Sequence, residues 1–211
     1  HNDYRELAQA AASWNRDLAL ALGERIPTDL LLEKAQHLFI KDHEKEALPL
    51  FEELVRRDNP RAMYFMGEYY RFGLSVNTEE GFKYHHRGAD KGEVLCRLNC
   101  AYEEGISKEQ KKKIIFECLP EMKRLASAGN IIAQDELGDV YYGTINNEIA
   151  GYYWEKKAVD AGYWRTLWKW AQRRAEGEEK VNSYEQVYVM NGDHAGEAAN
   201  YLIKVGRIFR G

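Results

Sequence analysis

Apolar residues along the chain recur three and four positions apart, the spacing of helices with one buried face. Tyr4, Leu7, Ala8, Ala11, Trp14, Leu18 and Leu22 form one such stripe and predict a helix from about Asp3, ended by Gly23 and Pro27. Thr28-Asp29 can cap a helix from Leu30 to Phe39. Glu44 to Arg56 then places Ala47, Leu48, Phe51, Leu54 and Val55 on one side, completing a helical pair. Pro49 inside the second helix, lacking an N–H, is expected to bend it or delay its start. His194 to Arg210 reads as a closing helix. The pattern predicts an all-α chain with no sheet.

The helical pattern repeats. Ala62-Met63-Tyr64-Phe65-Met66-Gly67-Glu68-Tyr69-Tyr70-Arg71-Phe72-Gly73 aligns with Ala133-Gln134-Asp135-Glu136-Leu137-Gly138-Asp139-Val140-Tyr141-Tyr142-Gly143, one residue shorter. A short loop and a second helical pattern follow each, from Gly81 to Gly92 and from Gly151 to Gly162. The unit is therefore two helices closed by a glycine. Gly92, Gly129, Gly162 and Gly192 stand 37, 33 and 30 residues apart, within the range of helical-hairpin arrays. The mid-unit Gly73, Gly105, Gly143 and Gly177 suit helix C-termini, where a left-handed residue costs glycine little. Asn77 or Thr78, and Asn146 or Asn147, are natural N-caps for the second helices.

Composition narrows the chemistry. Thirty Lys and Arg against 34 Asp and Glu give a net charge of −4, so no basic field favours a nucleic-acid partner. No apolar run is long enough to span a bilayer. Cys96, Cys100 and Cys118 are too few for a disulfide framework, and free thiols are expected; Cys118 could bridge to either of the others, or Cys96 and Cys100 could join a zinc set for which no close His or Cys pair is present. His85 and His86 are adjacent on a helix and point about 100° apart, which reads as a partly solvated helix face rather than a metal pair. Lys111-Lys112-Lys113 reads as a solvated basic loop within Ser107 to Lys113. No catalytic motif, cofactor fingerprint or metal set is recognisable, and the expectation is a protein without enzymatic activity, cofactor or metal. The chain begins at His1, which fits either a removed targeting peptide or none.

Ala62, Met66-Gly67, Tyr70, Gly73, Val76, Gly81, Tyr84, Gly88-Ala89 and Gly92 together resemble the Sel1-like repeat, a relative of the tetratricopeptide repeat. The unit from Ala133 to Gly162 is similar to a second good copy. Units 93–129 and 163–193 depart from the pattern, with Asn99 and Ala171 where the first-helix glycine belongs, and 28–58 is closer to a tetratricopeptide unit. The resemblance implies a right-handed superhelical solenoid of antiparallel pairs over residues 28–193, with units 28–58, 59–92, 93–129, 130–162 and 163–193 between capping helices at 1–27 and 194–211.

In this repeat class the first helix of each unit lines the concave wall. Taking Gly67, Asn99, Gly138 and Ala171 as equivalent, the groove positions are Arg61, Tyr64, Glu68, Arg71 and Phe72, then Glu93, Cys96, Cys100, Glu103 and Glu104. Ile132, Asp135, Asp139 and Tyr142 follow from the next unit, and Arg165, Trp168 and Gln172 from the last. Such a mixture of aromatics, arginine and acids is what protein interfaces favour, and Tyr64, Arg71, Phe72, Tyr142 and Trp168 are the expected anchors. Trp164, Trp168 and Trp170 cannot all face one way, so at least one belongs to the core. The resemblance implies a protein partner held by the concave face. Bacterial Sel1-like proteins include periplasmic immunity proteins that neutralise secreted toxins, among them phospholipases delivered by type VI secretion; an adaptor that scaffolds an envelope or signalling assembly is the alternative.

Overall fold

The computed structural model describes residues 26–73 and 76–175, with side chains as far as residue 170. The helices expected at the two termini, Gly177, Gly192 and the side chain of Gln172 lie outside the described residues. Within them the chain is all α, with no strand: α1 Thr28–Ile40, α2 Glu44–Arg56, α3 Pro60–Phe72, α4 Thr78–Asp90, α5 Val94–Cys100, α6 Lys108–Ser127, α7 Ile131–Val140, α8 Glu148–Asp160 and α9 Trp164–Ala175. Each helix packs on the next in sequence, and α3 also packs on α5.

Local chemistry starts most of these helices. Asn59, Asn77, Asn130 and Asn147 each accept a hydrogen bond from the backbone N–H three residues on, satisfying a donor that the first turn leaves open. Ser107 and Gln110 form a reciprocal capping box. The segment read as a basic loop is thus the N-cap and first two turns of α6, with Lys112 and Lys113 on its exposed side. α1 starts at Thr28, two residues before the expected Leu30, because Pro27 already holds a helix-compatible φ of −53°, and the Thr28 hydroxyl accepts from Arg57 rather than capping. α2 begins at Glu44, undelayed by Pro49, whose position in the second turn forfeits a single backbone hydrogen bond.

Gly92, Gly129 and Gly162 close their units with φ between +78° and +93°, as their spacing implies. The mid-unit glycines differ. Gly73 caps α3 at φ −92°, and Gly143 lies inside a π turn over Tyr141–Ile145, leaving Asn146 to take the left-handed conformation at φ 57°. Among the described mid-unit glycines, only Gly105, at φ +91°, behaves as the pattern predicts.

Gly67 and Gly138 let paired helices meet. A Cβ on Gly67 would overlap the His85 ring, and one on Gly138 would overlap Cγ of Glu155. His85 is therefore fully buried between α3 and α4 rather than on a solvated face, whereas His86 is exposed. A main core runs through the pairs, with Phe51 and Phe65 stacked at 4.4 Å and Phe39 edge-on to both, and a small second cluster of Val159, Leu167 and Trp170 lies between α8 and α9.

The last described helices return to the first. Lys41 Nζ donates to the Ala161 carbonyl at 3.1 Å, the Tyr163 ring lies 6.4 Å from that of Phe39, and the Arg165 guanidinium sits 4.7 Å above the Phe39 ring. Contact between the two ends closes one side of the space between the first helices.

Candidate functional site

The space so bounded is an open cavity of about 840 Å³. α3 contributes Tyr64, Glu68, Arg71 and Phe72 to its wall, α5 and the turn after it Asn99 and Tyr102, and α7 Asp135, Glu136 and Asp139. Tyr163 and, from α9, Trp164, Arg165, Trp168 and Lys169 complete it, with Lys111, Gly143 and Thr144 also lining it.

An ion-pair network forms the floor. Arg165 binds Glu68 at 2.8 Å and Glu44 at 2.9 Å; Glu68 also faces Arg71 at 3.6 Å and His85 at 3.5 Å. Burial alone would raise the Glu68 carboxyl, but the hydrogen bond to His85 and the charges of Arg165, His85 and Arg71 outweigh it and hold it below its ordinary value. Burial holds His85 itself below its ordinary value, against the opposing pull of Glu68. Arg71 donates to Asn99 at 2.7 Å and stacks over Phe72 and Phe82.

Across the cavity one ammonium serves three carboxylates. Lys169 Nζ lies 2.7 Å from Asp135, 2.8 Å from Asp139 and 3.7 Å from Glu155. Thr166 donates to Asp135 and Trp170 to Glu155, fixing both. Glu136 stands between the two clusters. Tyr64 Oη and Asn99 Nδ2 both donate to its Oε1, at 2.8 and 3.1 Å. Burial first, then the charges of Glu68 and Asp139, push its carboxyl up to about 8.

Of the residues expected in the groove, Tyr64, Glu68, Arg71, Phe72, Asp135, Asp139, Arg165 and Trp168 line the cavity. Their exposure separates them. Tyr64 is 2% exposed and locked to Glu136, so it is a wall element rather than an anchor, whereas Phe72 is 60% exposed and Trp168 half-buried. Trp164 and Trp170 are buried, as the spacing of the three tryptophans requires.

The remainder do not line the cavity. Arg61, at the start of α3, pairs with Glu93 at 2.8 Å. Tyr142 leaves the helical path in the π turn, and its ring packs where a Cβ on Gly151 would stand, 2.8 Å away. Ile132 is core, and Cys96 is buried against Gly88. Glu103 and Glu104 fall in the turn after α5, which is only seven residues long.

Sequence reasoning missed Asn99, Glu136 and Lys169. Asn99 carried a signal, since a polar residue in the glycine position needs a partner once buried, and Arg71 and Glu136 supply it.

All three cysteines are free and buried. Cys100 Sγ lies 3.6 Å from His86 Nδ1, and His86 Nε2 lies 2.8 Å from Glu103. Burial, with the charges of Glu103 and Asp90, pushes the Cys100 thiol up to about 11, so it stays protonated at neutral pH. No group of three metal-ligating side chains converges among the described residues, and no described helix is long and apolar enough to cross a membrane. No protein-family model and no curated protein matches the chain.

Proposed function

We propose that the chain is a non-enzymatic binding protein of the Sel1-like type, its helix pairs continuing as a right-handed superhelix, and that a segment of a partner protein enters the concave cavity. The observation that carries this is Phe72, a large apolar side chain 60% exposed at a cavity whose floor is tied together by internal ion pairs. A floor held by its own ion pairs is rigid, and rigid aromatic side chains lose little entropy on binding. Phe72 and Trp168 are the anchors; Tyr64, Arg71 and Arg165 hold the wall that carries them. On the family resemblance the partner is a secreted toxin and the compartment the bacterial periplasm, which makes this an immunity protein.

A photo-crosslinking phenylalanine analogue tests the groove directly, placed in turn at position 72 and at position 116. Phe116 is also exposed, at 54%, but stands on α6 away from the cavity. One partner protein cross-linked from 72 and not from 116 supports the reading, and the reverse overturns it. In the immunity version, cells carrying Phe72→Ala and Trp168→Ala lose protection against that partner.

A further inference from the structure

We propose that the cavity takes a cationic side chain, arginine or lysine, of the entering segment, with Glu136 as its counter-ion. This rests on the reading that a segment enters the groove, and it names the chemistry of the residue that goes deepest.

Four carboxyls line the cavity, and three have cations. Glu68 is held by Arg165 and Arg71, and Asp135 and Asp139 share Lys169. Glu136 pairs with no Lys, Arg or His among the described residues. Its two hydrogen bonds come from neutral donors and fall on one oxygen, Oε1. Oε2 accepts from no group, is not sealed from solvent, and belongs to a side chain that is 91% buried and lines the cavity. A buried carboxyl with one oxygen fixed by donors and the other turned to an empty space is a built acceptor.

Carboxyls dominate the α7 side of the cavity. Asp135 and Asp139 on α7, with Glu155 behind them, share Lys169, while Arg71 and Arg165 are taken up by Glu68 and Glu44, and Lys111 on α6 sits over the Tyr102 ring at 4.0 Å. Burial first, and then the field of Glu68, Asp139 and Asp135, keeps the Glu136 proton far up the pH scale. An arriving guanidinium or ammonium replaces that proton. The proton leaves Oε2 to solvent, the carboxylate forms, and the cation takes the place of the missing ion-pair partner. An acidic segment would instead meet Asp135 and Asp139, already sharing Lys169, and would gain no partner from Glu136.

The test titrates the full chain with N-acetyl-arginine amide, which carries one guanidinium and no other charge, and with its neutral citrulline counterpart, following tryptophan fluorescence at low salt. The arginine compound is expected to bind at least about tenfold more tightly than the citrulline one. Calorimetry in two buffers of different ionisation enthalpy should record proton release with the arginine compound alone. In Glu136→Gln, which keeps an oxygen to accept from Tyr64 and Asn99, both the preference and the proton release should vanish. Equal binding of the two compounds, no binding of the arginine compound at millimolar concentration, an unchanged preference in Glu136→Gln, or tighter binding of N-acetyl-glutamate amide overturns the inference. None of those results alters cross-linking at position 72, so the cation inference can fail while the groove reading stands. Cross-linking at 116 but not at 72 removes the groove reading whatever the arginine compound does.

Discussion

Replacing Arg165 with methionine keeps much of the side-chain length over the Phe39 ring and deletes the charge that joins the last described helix to α2 and α3. Two carboxylates then lose a partner. Glu44 is fully buried, and Glu68 is 5% exposed with only Arg71 and His85 left, both beyond 3.4 Å. Removing one member of a buried ion pair leaves an uncompensated charge and costs about 3–5 kcal/mol, well above the ~0–1 kcal/mol of an exposed pair. Urea unfolding at pH 7, with the midpoint compared at unchanged slope, reads this directly. The pH dependence has a definite sign. Glu68 is held below its ordinary 4.5 by His85, Arg165 and Arg71 against burial, so its contribution is present above that pH and lost as pH falls through the lowered value. Without Arg165 that lowering shrinks, and the stability gap between the two proteins must narrow in acid. A second substitution, Glu44→Gln, should recover part of the loss. A destabilisation below about 1 kcal/mol, or one that widens in acid, would refute the assignment of Arg165 to the wall.

Gly138→Ala forces a Cβ into Glu155, which Trp170 and Lys169 hold in place, so urea unfolding should show a loss of about 1–3 kcal/mol; an unchanged midpoint would mean that α7 and α8 do not meet there. Glu136, ordinarily at 4.5 and raised to about 8 when folded, binds more protons in the native chain, so stability should fall as pH rises from about 5 to 8. Glu136→Gln should flatten that fall, and parallel profiles for the two proteins would contradict the raised carboxyl. The cysteines are buried thiols, and burial pushes Cys100 and Cys118 up to about 11. Thermal melting should therefore be the same with and without a reductant, and thiol-reagent labelling at pH 8 should be slow until urea unfolds the chain.

What the sequence made legible was local. Gly92, Gly129 and Gly162 mark unit ends because only a left-handed residue turns the chain there, and Gly67 and Gly138 mark close helix contacts because a side chain would not fit. Asn77 and Asn147 cap within three residues of themselves. Ser107 was legible too, since serine followed three residues on by glutamine is a capping signal, and the lysine run obscured it. The misplacements are long-range. Tyr64 stands at a groove position by periodicity, yet Glu136, 72 residues away, buries it. Arg165 reads as an interface arginine until Glu44, 121 residues away, is seen to meet it. Tyr142 failed for a backbone reason, because the π turn after Val140 shifts the side-chain phase that repeat alignment assumes.

The central claim is that a partner is gripped by the cavity through Phe72 and Trp168. The most direct measurement is the affinity of the partner identified by cross-linking for Phe72→Ala, Trp168→Ala and Phe116→Ala, each shown by melting to be as stable as the unaltered chain. Each of the first two should weaken binding by about 2 kcal/mol or more, roughly thirtyfold, while Phe116→Ala leaves it unchanged. Binding that survives both groove substitutions and falls with Phe116→Ala would contradict the account.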